Sequence, residues 1–118
     1  MKIVVTAKWA ELESAIDPRF GRAPWLVAVD TETGEVTVRD NQQATNAAHG
    51  AGVRAARLAL ELGAQAVITG NIGPNAFRPL QDAGIKVYLT YAGTVEGTVA
   101  RLLAGRLTEA TAPSKRGH

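Results

Sequence analysis

Hydrophobic residues in this chain occur first as short runs separated by turns, and helical spacing begins only in its second half. Five runs rich in apolar and β-branched residues predict strands over residues 2–6, 25–30, 35–40, 64–69 and 85–90. In the third run Val36 and Val38 alternate with polar residues, so one face of that strand should be exposed to water. The turn over residues 31–34 predicts a hairpin between the second and third strands.

Three later segments carry apolar residues at helical spacing and predict helices over residues 50–62, 74–83 and 94–103. Val53, Ala56 and Leu60 form the apolar series of the first helix. Thr94 is a suitable N-cap for the last helix, because its hydroxyl can accept a hydrogen bond from the first turn.

This order of elements predicts one α/β domain with a five-stranded mixed sheet. A hairpin makes strand 2 antiparallel to strands 1 and 3, whereas helical crossovers make strands 3, 4 and 5 parallel. A chain of 118 residues is enough for one hydrophobic core. We therefore expect a single domain over residues 1–109, and a flexible C-terminal tail over residues 110–118, which are small and polar.

The predicted topology brings four connections to one rim of the sheet, namely residues 7–24, 41–52, 70–75 and 90–94. All three helices should also begin at this rim, where unpaired N–H groups and the positive ends of the helix dipoles attract anions. Ligands usually bind at the carboxyl ends of parallel strands. The glycine turn over residues 70–75 is therefore either a plain strand-to-helix connection or one wall of an anion site.

His49 and Arg22 are the rim residues with the most distinctive chemistry. His49 precedes a predicted helix start, where a ring nitrogen could reach a metal or an anionic ligand, and the alternative is a surface or capping histidine. Arg22 could hold an oxyanion or a sulfide cluster, or could pair with Asp17 or Glu13.

Asparagines and tryptophans are weaker candidates. The side-chain amides of Asn71 and Asn75 could bind a ligand, or these residues could simply form the turn and cap the helix. Trp9 and Trp25 could form an apolar wall of the site, although Trp25 at a strand start is a natural core residue.

Composition narrows the class of function. The chain has no cysteine, which excludes disulfides, thiolate nucleophiles and thiolate-bound metals. A formal charge of +2 is too small to indicate nucleic-acid binding, yet Arg dominates the basic residues and suits oxyanions. No apolar run is long enough to span a bilayer and none resembles a signal peptide, so a cytoplasmic location is expected. Catalytic motifs are absent, and binding without enzymatic turnover is expected.

Several motifs in fixed order resemble the dinitrogenase iron-molybdenum cofactor biosynthesis family, also called nitrogenase accessory factors. They span nearly the whole chain and occupy residues 17–24, 29–34, 49–52, 69–77, 84–88 and 93–95. The resemblance implies a ribonuclease H-like, three-layer α/β/α fold whose five-stranded mixed sheet has strand 2 antiparallel.

The resemblance also implies non-covalent carriage of an anionic metal-sulfur cluster. The cargo would be an iron-molybdenum cofactor precursor or a molybdenum-copper sulfide cluster, as in the orange-protein members of the family. Such a cluster brings its own sulfur, and protein partners would assemble or receive it, with no nucleic acid or membrane involved. The alternative is a non-enzymatic regulatory module that binds a protein or small oxyanion at the same rim.

Three of these motifs supply the residues expected to bind the cluster. Some relatives carry His where Arg19 stands, so His49 is the expected metal ligand, being the only histidine near the rim. The full set is Arg19, Phe20, Gly21, Arg22, Ala23, His49, Gly50, Gly52, Asn71, Ile72, Gly73 and Asn75.

Overall fold

A computed structural model describes residues 1–42 and 50–114. Within these ranges the chain forms six strands and three helices. In chain order they are β1 (Lys2–Ala7), β2 (Trp25–Asp30), β3 (Val36–Asp40), α1 (Ala51–Glu61), β4 (Ala66–Thr69), α2 (Pro74–Asp82), β5 (Lys86–Leu89), α3 (Val95–Leu103) and β6 (Thr108–Ala110). The elements predicted from the hydrophobic pattern all form, with small shifts at their ends.

The strands make one mixed sheet in the order β3-β2-β1-β4-β5-β6. β2 runs antiparallel to both β1 and β3, and β1, β4 and β5 are parallel, as the connections predicted.

The prediction of five strands is wrong, because β6 extends the sheet. This strand pairs antiparallel with β5 through residues 108–110. Its three residues are Thr, Glu and Ala and carry no apolar alternation. Only the chain reversal after α3, which returns this segment to the open edge of β5, makes it a strand.

Helices cover both faces of the sheet, so the fold has three layers. One apolar core lies between the sheet and α1 and α2, and contains Val4, Leu26 and Val67 from the strands. The second lies under α3, where Val95 and Val99 meet Ile3 and Val5. No helix within the two described ranges is long and apolar enough to cross a bilayer.

The buried face of α1 is made of alanine. Val53 and Leu60, part of the series that predicted this helix, are 43% and 41% exposed, whereas Ala55 and Ala59 are fully buried. Alanine side chains let α1 approach the sheet and α2 closely. The spacing therefore predicted the helix correctly, but two of its larger apolar residues face outward.

Candidate functional site

The segment that follows β1 is bonded to the glycine turn that follows β4. Arg19 and Asn71 form a parallel bridge, in which the Asn71 amide donates to the Pro18 carbonyl at 2.6 Å and the Phe20 amide donates to the Asn71 carbonyl at 3.2 Å. A methyl group on Gly70 would lie 2.5 Å from Pro18 Cβ, so only glycine allows this approach. The loop and the turn are therefore one structural unit.

The same loop packs against the start of α1. A methyl group on Gly21 would lie 2.8 Å from the Gly52 nitrogen and 3.0 Å from the Ala51 carbonyl carbon. Gly52 in turn faces Ala76 in the first turn of α2, with 3.3 Å between the Ala76 methyl and a Cβ placed on Gly52. The loop and the first turns of α1 and α2 thus meet at one point, as the strand directions predicted.

The segment after β5 completes this rim. The Ile16 amide donates to the Gly93 carbonyl at 3.1 Å, and the Tyr91 hydroxyl is 2.6 Å from Asn71 Oδ1. Tyr91 is 64% exposed and lies beside the glycine turn, so it is a rim residue that sequence reasoning missed. Its position just after β5, in a connection predicted to lie at the rim, could have identified it as a rim residue.

At two of the three helix starts at the rim, the helix's own side chains do not compensate the dipole. Neither α1 nor α2 has a side-chain cap or an acidic residue in its first turn. In the described structure the amides of Gly73 and Asn75 have no hydrogen-bond partner, and the space beside Gly73 is open to at least 4 Å. The start of α3 differs, because the Thr94 hydroxyl accepts from the Gly97 amide and Glu96 lies in the first turn. The third helix dipole is therefore already compensated.

Arg19 is held by a buried carboxylate. Its guanidinium donates to both oxygens of Asp17, at 3.0 and 2.8 Å, and its own amide donates to Asp17 Oδ1 at 2.9 Å. Burial by itself would raise the pKa of Asp17, but the hydrogen bonds and charge of Arg19 lower it below its ordinary value. Asp17 thus pairs with Arg19 and not with Arg22, and it offsets much of the positive charge of Arg19.

Three of the predicted binding residues can offer a ligand only their backbone. The side chains of Phe20, Ala23 and Ile72 are 2% exposed or less and belong to the interior. Arg22, by contrast, is only partly buried and lies between Gly21 and Ala23 on the loop.

Asn41 anchors the loop from the far side. Its side-chain amide donates to the carbonyls of Gly21 at 3.2 Å and Ala23 at 2.9 Å, and its backbone amide donates to Pro24 at 2.8 Å. The residue is fully buried, and its Oδ1 has no partner in the part of the chain that the structure describes. Sequence reasoning treated it as the start of a polar connector, because nothing local distinguishes a buried asparagine from a loop asparagine.

The segment after β6 returns to the glycine turn. The Ile72 amide donates to Ser114 Oγ at 3.0 Å, and the Ser114 amide donates back to the Ile72 carbonyl at 3.0 Å. Residues 110–114, predicted as part of a flexible tail, thus include a strand residue and a contact with the rim. The Ile72 amide, one of the backbone groups predicted to bind an anionic ligand, is therefore already hydrogen-bonded to Ser114.

His49 lies outside the described residues, as does His118. Among residues 1–42 and 50–114 there is no group of three or more His, Cys, Asp or Glu side chains able to hold a metal ion. The described rim presents backbone amides, the side chains of Arg19 and Arg22, and the Tyr91 hydroxyl.

A family model for dinitrogenase iron-molybdenum cofactor proteins matches residues 1–105. The chain belongs to this family. The resemblance inferred from the motifs is thereby confirmed, and the match extends over all elements except β6.

Two solved structures and one related sequence agree with this membership. The apo form of the orange protein from Desulfovibrio gigas is 43% identical, with a TM-score of 0.91 over 97% of this chain and 96% of that one. A putative NifB protein from Thermotoga is 34% identical, with a TM-score of 0.84 and 98% coverage of both chains. An uncharacterized protein from Methanocaldococcus jannaschii is 32% identical over 94 residues, which cover 78% of this chain and 80% of the relative. Membership in the cofactor family indicates a function related to metal clusters.

Proposed function

We propose that this member of the dinitrogenase iron-molybdenum cofactor family binds and carries an anionic metal-sulfur cluster non-covalently at the rim. The cargo is an iron-molybdenum cofactor precursor or a molybdenum-copper sulfide cluster, and protein partners assemble or receive it. The protein acts as a carrier and not as an enzyme.

One observation carries the proposal: the amides of Gly73 and Asn75, which have no partner among the described residues, lie at the start of α2, beside the first turn of α1, which has no side-chain cap. A sulfide cluster is a large anion with hydrogen-bond acceptors on its surface. Backbone N–H groups and a helix dipole stabilise such an anion without supplying a ligand to the metal. No described atom lies within 4 Å of a Cβ placed on Gly73, so this side of the turn is accessible to a ligand.

Charged side chains support the same assignment. Arg22 and Arg19 lie on the loop beside this turn, and the Tyr91 hydroxyl adds a polar group at its edge. We assign Arg22, together with these backbone amides, a role in attracting the cluster, and Asp17 offsets part of the charge of Arg19. His49 is proposed as the metal ligand.

Reconstitution tests the proposal directly. The protein is incubated anaerobically with tetrathiomolybdate plus copper or iron salts and then desalted. We expect coloured protein with a fixed metal-to-protein ratio by elemental analysis. Protein that stays colourless and metal-free with every mixture would exclude cluster carriage.

Matched variants locate the cluster. Arg22→Ala should lower retention of the cluster about tenfold, since one charge-assisted contact contributes roughly 1.5 kcal/mol or more. The control is Arg57→Ala, which removes the same charge from an exposed position in the middle of α1. Equal retention by the two variants would place the cluster away from the loop.

A second candidate is a module that binds a peptide or protein at the rim. The two hydrogen bonds between Ser114 and Ile72 favour it, because a segment of the chain itself already binds at the glycine turn. Calorimetry that detects a partner peptide, together with failed reconstitution, would support this function over the first.

A further inference from the structure

The edge strand β3 is apolar on a face that none of the three described helices covers. Val27 and Val29 of β2 belong to the core on the α3 side, and they pair with Val38 and Val36. The two β3 valines therefore point to the α3 side, yet they are 40% and 38% exposed. α3 packs over β1 and leaves this end of the sheet open.

The outer edge of β3 also offers main-chain hydrogen bonds. The Asp30 amide donates to the Glu35 carbonyl, and the Asn41 amide donates to the Pro24 carbonyl. Bonding alternates along an antiparallel pair, so the odd-numbered residues of this stretch bond to β2. The N–H and C=O groups of Val36 and Val38 consequently point away from β2, and β3 has no second neighbour among the strands of the described residues.

The sequence of this edge is complementary to itself. In an antiparallel pairing of two copies centred on Thr37, Val36 faces Val38 of the other copy, and Glu35 faces Arg39. Both valine pairs lie on the open apolar face, and both Glu-Arg pairs lie on the α1 face. A shift of the centre to Val38 would instead place Val36 opposite Asp40, so the hydrophobic pattern selects the first register.

From this geometry we infer that β3 is a self-association surface, at which a second copy of this chain adds its own β3 antiparallel to form a continuous sheet. Four main-chain hydrogen bonds link residues 36 and 38 of the two copies. Arg39 already contacts Glu61 on α1, which holds its guanidinium on the face where Glu35 of the second copy arrives. The contact is isologous, so it closes as a dimer and does not propagate.

A five-residue edge buries little surface, so the dimer is weak and forms at high concentration. Interfaces below about 1,200 Å² are typical of transient complexes. We expect monomer in dilute solution and a reversible dimer at concentrations on the order of 0.1–1 mM, measured by sedimentation equilibrium. Strictly monomeric behaviour throughout this range would overturn the inference.

Charge-exchange variants provide the sharpest test. Glu35→Lys alone places a lysine opposite Arg39 of the other copy, and Arg39→Glu alone places two glutamates opposite each other, so each variant should remain monomeric. In an equimolar mixture of the two variants, both pairs across the contact join a positive and a negative side chain. The heterodimer should therefore form at least as readily as the wild-type dimer. A mixture no more associated than its two components would contradict the proposed register.

The valines give an independent test with a matched control. Val38→Lys places a charge in the middle of the apolar strip and should abolish the dimer while the monomer stays folded. Val53→Lys changes an equally exposed valine, 43% exposed, on α1 and should leave dimerisation unchanged. Association that survives Val38→Lys, or that Val53→Lys removes, would assign the contact to another surface. These measurements need no cluster, so they are independent of the proposed function.

Discussion

The contact between Gly21 and the first turn of α1 yields a quantitative prediction about how the rim is held together. Replacing Gly21 with Ala places a methyl group 2.8 Å from the Gly52 nitrogen and 3.0 Å from the Ala51 carbonyl carbon and Gly52 Cα. Ordinary van der Waals contact begins at about 3.4 Å. All three atoms are backbone, so no side-chain rotation relieves the overlap, and the loop and α1 must separate by several tenths of an ångström.

Overpacking of this kind destabilises proteins by about 1–3 kcal/mol, and we expect the upper half of that range because helix backbone must move. For a domain of this size the loss corresponds to a fall of roughly 10 °C in melting temperature. Thermal denaturation followed by circular dichroism measures it, and urea denaturation gives the free energy of unfolding.

Gly73→Ala is the matched control for this prediction. A methyl group there meets nothing within 4 Å, and the backbone at φ −84° is accessible to alanine. We expect its stability to stay within about 1 kcal/mol of the wild type, because the lower entropy of the unfolded chain offsets a poorer N-cap residue. If Gly21→Ala were no less stable than Gly73→Ala, the tight approach of loop and helix would be refuted.

Three further predictions concern the residues that surround the loop. Because the pKa of Asp17 is lowered in the folded state, its carboxylate stabilises the fold fully at pH values above the ordinary pKa of 3.8, and this stabilisation is lost as the pH falls through the folded-state pKa. Asp17→Asn should therefore make the free energy of unfolding depend less on pH in acid. Denaturation at about pH 3 and pH 6 measures this difference between wild type and variant, with the exposed Asp82→Asn as control. Asn41→Ala should lower the free energy of unfolding by about 2 kcal/mol, because two hydrogen bonds to the loop carbonyls of Gly21 and Ala23 are lost. Asn41→Asp should lower it further, because a carboxylate cannot donate to these carbonyls. Equal stability of Asn41→Asp and wild type would contradict the role of Asn41 as a donor to the loop. Ser114→Ala removes the hydroxyl that accepts from the Ile72 amide and should increase cluster retention after reconstitution. Thr111→Ala, on the same segment, should leave retention unchanged. Unchanged retention in Ser114→Ala would mean that the cluster does not bind this amide.

Local sequence predicted most of the fold because short apolar runs, glycine stops and a hairpin turn act within a few residues of each other. Strand directions followed from the connections alone, and they correctly placed the loop, the glycine turn and the helix starts at one rim. The family motifs identified the same segments. The N-cap role of Thr94 was also local and is confirmed by its bond to the Gly97 amide.

Contacts between residues distant in sequence could not be predicted in this way. Asn41 and Ser114 look like ordinary polar loop residues, and only folding brings the first to Gly21 and the second to Ile72. The sixth strand likewise has no pattern of its own and depends on the open edge of β5.

By itself, the sequence determined the family, the order of all elements except β6, and the rim at which the connecting loops and helix starts meet, because these depend on local periodicity and chain connectivity. Tertiary structure alone decided which groups at that rim remain available. In the folded chain Arg19 pairs with Asp17, and the Ile72 amide donates to Ser114. The side chains of Phe20 and Ile72 are buried, whereas the amides of Gly73 and Asn75 have no partner in the described structure. The physical reason is that hydrogen bonds and burial depend on distances in space, which a linear pattern does not specify.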